Sequence, residues 1–156
     1  RRAATASWVT AVLAIHVADC VPILLAHTVT GHVAAVHAGW RGVVARIVEA
    51  AVERLGDPVR LVAAIGPHIR LGAFEVSPEV AGQIAGVACG EPVVQPGDPR
   101  PHVDLARTVR AQLLAVGVTR IDDVGGCTHA DRRRFFSHRR EGGHTGRHLS
   151  AIVAGW

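Results

Sequence analysis

The chain contains no lysine, methionine, tyrosine or asparagine. All 17 of its basic residues are therefore arginine. The codons of the missing amino acids are rich in A and T, so the composition indicates a genome of high G+C content. Because methionine is absent, Arg1 is not an initiator residue, and we expect the natural protein to have residues upstream of it.

Aromatic residues are also scarce, at 4% of the chain, and no RNA- or DNA-binding motif is present. Nucleic-acid surfaces combine a basic face with exposed aromatic side chains, so we expect no nucleic-acid partner. The net charge of +4 still favours contact with phosphates and other anions. The bias towards arginine explains that charge equally well.

Long apolar runs are missing too. His16, Asp19 and His27 interrupt the most apolar region, which therefore falls short of the roughly 18 residues of a membrane span. The first residues lack the apolar core of a secretory signal, and three cysteines cannot all pair with one another. We expect a soluble cytoplasmic protein with no membrane partner. Its 156 residues predict a single domain.

Three short apolar segments near the start indicate buried strands, at 8–17, 22–27 and 32–37. Residues 28–31 have turn chemistry, so 22–37 is predicted to form a β-hairpin. With the turn centred in the middle of these four residues, Pro22 faces His37 on the paired strand. Cys20 then lies close to His37 in space, although the two are far apart in sequence.

The rest of the chain alternates helical and extended patterns. An amphipathic helix is predicted over 43–55, ending at Gly56. Two more helices are predicted at 78–88 and 105–116, with Ser77 and Asp104 as their N-caps. The remaining segments are predicted strands at 60–66, 120–124, 135–137 and 149–154, with a proline-rich loop at 90–103. This order predicts an α+β fold, a mixed α/β layered sandwich.

Cys20 stands where the first strand gives way to a turn. A lone cysteine in an apolar stretch is ordinarily a small buried hydrophobe. Beside an imidazole, however, cysteine can be a thiolate, and the thiolate is both a nucleophile and a metal ligand. Cys20 and His37 are therefore candidate catalytic residues and candidate metal ligands. Asp19, next to Cys20, is a candidate proton-transfer group.

His37 opens the segment HAGWRG at 37–42, directly before the first predicted helix. Its glycines free the backbone, and the helix start offers unpaired N–H groups. Arg41 adds a planar fork of donors suited to phosphate or carboxylate, which makes it a candidate catalytic residue in an anion pocket. The alternative is a plain strand-to-helix turn, with Trp40 in the core and Arg41 in solvent.

Other polar clusters are less specific. Cys127 and His129 form a Cys-x-His pair without a CxxC motif, so a structural role is favoured. Cys89 has no evident partner. The arginine runs at 132–134 and 139–140, and the glycine-containing segment 144–147, are suited to a phosphate-bearing ligand, although runs of charge are more often solvated.

Several segments match one family in order and spacing over nearly the whole chain. They are ADCVPILL at 18–25, HAGWRG at 37–42, IGPHI at 65–69, FEV at 74–76, DL at 104–105, CT at 127–128, FFSHRR at 135–140 and TGR at 145–147. With these segments the chain resembles the YfiH-like purine nucleoside phosphorylase family, also called the multicopper polyphenol oxidase or laccase domain family. The resemblance implies a CNF/YfiH-like cysteine-hydrolase fold over residues 1–156, shortened at its N-terminus.

The resemblance also implies a zinc ion bound by one cysteine and two histidines, with copper as the alternative metal. By motif position, the cysteine is Cys20 and one histidine is His37. The other histidine is expected upstream of Arg1. His16, His27 and His32 are the substitutes in the chain itself, and the sequence does not choose among them.

The family's activities are phosphorolysis of adenosine, inosine, guanosine and methylthioadenosine, and deamination of adenosine. The expected partners are therefore a purine nucleoside and phosphate. Three alternatives stay open: a metal-independent Cys–His hydrolase or deamidase, a copper-dependent polyphenol oxidase, and a catalytically silent member that only binds a ligand. The oligomeric state is not predicted.

Overall fold

The computed structural model describes residues 11–154. Its strands are β1 (Val12–Val17), β2 (Val21–His27), β3 (Val33–Ala38), β4 (Leu61–Ile65), β5 (Val94–Gln95), β6 (His102–Val103), β7 (Arg120–Asp123) and β8 (His148–Val153). Its helices are α1 (Trp40–Val44), α2 (Ile47–Leu55), α3 (Pro78–Ala85) and α4 (Leu105–Ala115). The mixture confirms the predicted α+β class. None of these helices is both long and apolar enough to cross a membrane.

The central sheet has four strands in the order β3-β2-β4-β7. The first two pairings are antiparallel, and β7 joins β4 in parallel. Strands β1 and β8 form a separate antiparallel ribbon, and β5 with β6 forms a short hairpin. The core lies between the central sheet and the helices, which bury Val48 and Val52 of α2 and Val109 and Leu113 of α4.

The register of the β2–β3 hairpin is the one predicted, because Pro22 pairs with His37. His27 stabilises the turn: its Nδ1 accepts hydrogen bonds of 3.2 Å from the backbone N–H groups of Val29 and Thr30. Gly31 has a φ of 70°, a left-handed conformation that glycine adopts without steric cost. Local turn chemistry therefore sets which residues face each other at the far end of the hairpin.

The prediction of a single helix over 43–55 is wrong. Helix α1 begins at Trp40, and the chain breaks at Arg46, whose φ of 62° is left-handed, before α2 begins. The buried amide of Gln112 donates to the carbonyl of Val43 at 3.1 Å and so satisfies the end of α1. Periodicity does not detect the break, because the group that stabilises it comes from a distant helix.

Two predicted strands also need correction. Residues 135–137 have no regular secondary structure and lie between two turns, because Ser137 and the two phenylalanines are held by contacts with other segments. The segment 8–17 is not a buried strand: residues 8–10 lie outside the described part, and Val12 in β1 is 62% exposed. Among the described residues, strand β1 pairs only with β8. Apolar side chains of this two-stranded ribbon, such as Leu13 and Leu149, are exposed there. The β5–β6 hairpin inside the proline-rich loop was not predicted.

His68 is fully buried, at 0% exposure, just after β4. Its Nδ1 lies 2.8 Å from the carbonyl oxygen of Gly66, so Nδ1 carries the proton of the neutral ring. Its Nε2 is buried and meets no hydrogen-bond partner in the described part of the chain. Burial lowers the pKa of His68 below the ordinary histidine value, because the protonated ring would lose its hydration.

We expect His68 to make the protein acid-sensitive. Below the ordinary histidine pKa of about 6.5, the unfolded chain binds a proton that folded His68 does not, so stability falls as the pH falls. This adds a slope of at most about 1.4 kcal/mol per pH unit, which disappears above neutrality. Urea unfolding between pH 5 and 8 should show a shallower slope for His68→Gln than for the exposed control His32→Gln. Equal slopes in the two variants would contradict the prediction.

Candidate functional site

A cavity of about 540 Å³ opens where β1 gives way to β2 and where β3 gives way to α1. Its volume lies in the range of small-molecule sites. All four residues singled out from the sequence line it, namely Asp19, Cys20, His37 and Arg41. The hairpin register therefore brings together two motifs that are well separated along the chain.

Cys20 is held in the short turn between β1 and β2 and is partly buried. Its Sγ lies only 3.1 Å from the position that a Cβ would occupy on Gly39, so the glycine of HAGWRG makes room for the sulfur. Burial raises the pKa of the Cys20 thiol, and the nearby Asp19 carboxylate raises it further, while Arg147 opposes both. The protonated thiol is therefore favoured over the thiolate in the chain as described.

His37 lies on β3 between two buried neighbours, Val36 and Ala38, and its own side chain is exposed. Strand alternation thus directs the imidazole away from the core and towards the cavity. Trp40 and Arg41 follow at the start of α1. Trp40 packs against the core, and the Arg41 guanidinium stacks 4.6 Å from its ring centre.

Helix α1 has only five residues and begins at Trp40, not at Val43 as predicted. A helix this short has a small dipole, so Arg41 is the main source of positive charge at this side of the cavity. The predicted anion pocket and the alternative reading each describe part of the arrangement, since Trp40 joins the core while Arg41 lines the cavity.

Asp19 is buried at 7% exposure and has a φ of 85°, in the left-handed region. Its Oδ1 accepts a hydrogen bond of 2.6 Å from the hydroxyl of Thr128. Its Oδ2 accepts bonds from the hydroxyl of Ser137 at 3.0 Å and the backbone N–H of Arg139 at 2.7 Å. The carboxylate therefore joins the Cys20 turn to two distant segments. A proton-transfer role for Asp19 stays a prediction.

The sequence named 139–140 and 144–147 in the loop 127–147 as suited to a phosphate-bearing ligand, but it did not place this loop beside Cys20. Its residues His138, Arg139 and Arg147 line the cavity. The Arg139 guanidinium lies 5.6 Å from the Phe74 ring centre and donates to the carbonyl of Glu75 at 2.8 Å. The motifs CT and FFSHRR were visible in the sequence, but only the fold shows that they meet at Asp19.

Neighbouring arginines in this loop have different surroundings. The Arg140 side chain is 8% exposed and donates to the carbonyls of Thr128, His129 and Phe135, so it holds the loop together. Arg139 lines the cavity, whereas residues 132–134 do not. Cys127 and His129 do not line it either, and Cys127 forms a backbone bridge with His68.

Two kinds of side chain line the cavity. The apolar ones come from several elements, namely Ile69, Phe74, Val76, Val80 and Leu105. The cationic ones are Arg41, Arg100, Arg139 and Arg147. Such a cavity is suited to a ligand with a flat apolar part and an anionic or strongly polar part.

The residues fit a metal ion only in part. A cysteine sulfur and a histidine nitrogen are donors that zinc prefers, but a catalytic zinc site ordinarily has three protein ligands. Across residues 11–154, no group of three His, Cys, Asp or Glu side chains is placed to hold a metal. His16 lines the same cavity, His27 is occupied by its turn, and His32 lines a different cavity. The described residues thus do not complete the expected site.

The fold and the cavity define an α+β protein with a cysteine and a histidine in one cationic pocket. The chain belongs to the family described as multi-copper polyphenol oxidoreductase laccase, whose family model matches residues 3–155. The fold is similar to the crystal structure of the hypothetical protein YfiH from Bacillus licheniformis, with a TM-score of 0.85 and 29% sequence identity. The match covers 92% of this chain and 57% of that one. The predicted resemblance to the YfiH-like family is confirmed.

Curated relatives carry names of purine-nucleoside enzymes. The chain is 42% identical to a purine nucleoside phosphorylase of Deinococcus radiodurans over 145 residues, which are 90% of this chain and 56% of that protein. It is 41% identical to adenosine deaminase RL5 of an unknown prokaryotic organism, over 90% of this chain and 57% of the relative. The chain thus spans little more than half the length of these relatives.

Proposed function

We propose that this protein is a purine nucleoside phosphorylase, which cleaves the bond between a purine base and ribose with inorganic phosphate. The observation that carries the proposal is the cavity beside Cys20 and His37, which apolar side chains and arginines line together. The names of the curated relatives support the same reaction. We include adenosine deamination in the proposal, because one relative is named for that activity.

In the proposed complex the purine base packs against apolar side chains of the cavity, and phosphate binds near Arg41 and Arg147. A phosphate oxygen attacks ribose C1′, the bond from C1′ to N9 breaks, and the base leaves with the electron pair and gains a proton. The arginines hold the dianion next to C1′ and stabilise its charge as the bond breaks. The leaving base takes its proton from water, because His37 is assigned to the metal in this proposal.

Zinc is the proposed cofactor and copper the alternative, with Cys20 and His37 as two of the donors. The third donor in this proposal comes from outside the residues described here. We assign no step to the metal, because the described part of the chain does not complete its coordination.

The test uses the full-length protein. We expect release of hypoxanthine from inosine that depends on added phosphate, together with close to one zinc per chain by elemental analysis. A metal-free protein that leaves inosine intact in the presence of phosphate would refute the proposal. A protein that binds zinc but does not cleave inosine would support the metal site and rule out the proposed reaction.

A second candidate is a cysteine hydrolase or deamidase, in which Cys20 attacks a carbonyl and His37 acts as its base. It is favoured because both residues line one cavity, and no third donor among residues 11–154 is placed to complete a metal site with them. Iodoacetamide separates the two candidates. Alkylation of Cys20 that is rapid and unaffected by chelators supports the hydrolase, whereas protection by zinc supports the metal-dependent enzyme.

A further inference from the structure

The arginines that line the cavity are held in place in different ways. Arg147 donates from Nη1 to two backbone carbonyls of its own loop, and Arg139 donates to the carbonyl of Glu75. The Arg41 guanidinium forms neither a hydrogen bond nor an ion pair within residues 11–154. Its central carbon, Cζ, instead lies 4.6 Å from the centre of the Trp40 ring. Stacking on an aromatic face therefore sets the position of this arginine.

Trp40 is well placed to provide that face. It is the first residue of α1, is partly buried and packs against the core. It also lines the cavity together with Arg41. A free arginine side chain loses rotamer freedom when a ligand orders it, and this loss weakens binding. A ring that already orders the guanidinium reduces this loss.

Stacking leaves the donors of Arg41 available to a ligand. The N–H groups of a guanidinium lie in its plane, and contact with a ring face uses none of them. An anion such as phosphate can accept two of these hydrogen bonds in parallel. No carboxylate of the described residues competes for Arg41, whereas Arg100 of the same cavity lies 3.9 Å from the carboxylate of Glu75. Arg41 is thus both ordered and unoccupied.

We propose that Trp40 is a positioning residue, which orients the Arg41 guanidinium for inorganic phosphate by stacking against it. This inference rests on the proposed function. Because Trp40 acts through Arg41, loss of the ring should weaken the binding of phosphate and leave the binding of the nucleoside nearly unchanged. A Trp40 side chain that contacted the nucleoside itself would have the opposite effect.

The experiment measures steady-state phosphorolysis of inosine by the full-length protein, as wild type, Trp40→Leu and Trp40→Phe. We expect Trp40→Leu to raise KM for phosphate about fivefold, the scale of a cation–π contact of this kind. Its kcat and its KM for inosine should stay within about twofold of the wild type. Trp40→Phe keeps an aromatic face and should recover most of the loss. A rise in KM for inosine as large as that for phosphate would overturn the inference.

A double-mutant cycle identifies the partner of Trp40. Arg41→Gln should raise KM for phosphate by itself, and adding Trp40→Leu should raise it no further. Arg147→Gln is the matched background, because carbonyls of its own loop hold Arg147. There Trp40→Leu should keep its full effect. If the effects of Trp40→Leu and Arg41→Gln simply multiply, Trp40 has only a general structural role and the inference is overturned.

Two further measurements make every outcome decisive. If Trp40→Leu does not fold, the same cycle is run with Trp40→Phe, whose smaller ring should raise KM for phosphate about twofold only while Arg41 is present. Calorimetric titration with inorganic phosphate separates this inference from the proposed function. A wild type that leaves inosine intact but shows the same coupling in its Kd for phosphate would reject the reaction and keep the role of Trp40. Phosphorolysis without this coupling would do the reverse.

Discussion

Replacing Cys20 by serine is expected to lower kcat/KM for inosine phosphorolysis at least about a thousandfold, the scale of loss when a central catalytic group is removed. Cys20 supplies the sulfur among the residues that line the cavity, as a metal donor or as a nucleophile. A serine hydroxyl is a poorer zinc ligand and is far less ionised at neutral pH. Bound zinc should fall together with the activity.

Cys89→Ser is the matched control for this prediction. Cys89 is an exposed free cysteine that follows α3 and does not line the cavity, so the same chemical change should leave activity and zinc content unaltered. The circular dichroism spectra of both variants should match that of the wild type. A Cys20→Ser protein that keeps more than about a tenth of the activity would show that the sulfur is not required.

Replacing Asp19 by alanine is expected to destabilise the protein by about 3–5 kcal/mol. The change would leave two buried hydroxyls and one N–H without their acceptor, and each such group costs about 1–3 kcal/mol. Thr128 and Ser137 are both at 0% exposure, so water does not readily replace the lost partner. Alanine would also have to adopt the left-handed backbone found at Asp19.

Asp19→Asn separates these contributions. Asparagine tolerates a positive φ and keeps one side-chain acceptor, so we expect it to lose less than half as much stability as alanine. Urea unfolding followed by circular dichroism gives the free energy of unfolding of each variant. A loss below about 1 kcal/mol for Asp19→Ala would mean that the hydrogen bonds of this carboxylate add little to the fold. Equal losses of stability in Asp19→Ala and Asp19→Asn would show that the effect comes from the negative charge of Asp19.

The hairpin shows how far local reasoning can reach. Turn residues between two apolar segments are enough to predict that Pro22 pairs with His37, and hence that Cys20 and His37 lie close together, as the cavity they both line confirms. The helix caps at Ser77 and Asp104 were predicted for the same reason, because each side chain bonds to an N–H only three residues later. Such features depend on chemistry within a few residues.

The loop 127–147 shows where that reasoning stops. Hydrophobic pattern alone predicted a strand at 135–137, yet Ser137 bonds to Asp19 across more than half the chain. The rings of Phe135 and Phe136 pack against Gly126 and Gly146, where a Cβ would come within 2.9 and 2.8 Å of them. No local signal distinguishes these contacts from those of a buried strand.

The α+β class, the family, the hairpin register and the meeting of Cys20 with His37 in one cavity are all readable from the sequence. The fold is needed to show that Arg139 and Arg147 of the loop 127–147 join Arg41 in lining that cavity. It is also needed to show that donors from distant segments occupy both oxygens of Asp19. Turns, caps and strand pairing depend on neighbours along the chain. The state of a carboxylate depends on the donors that folding brings to it.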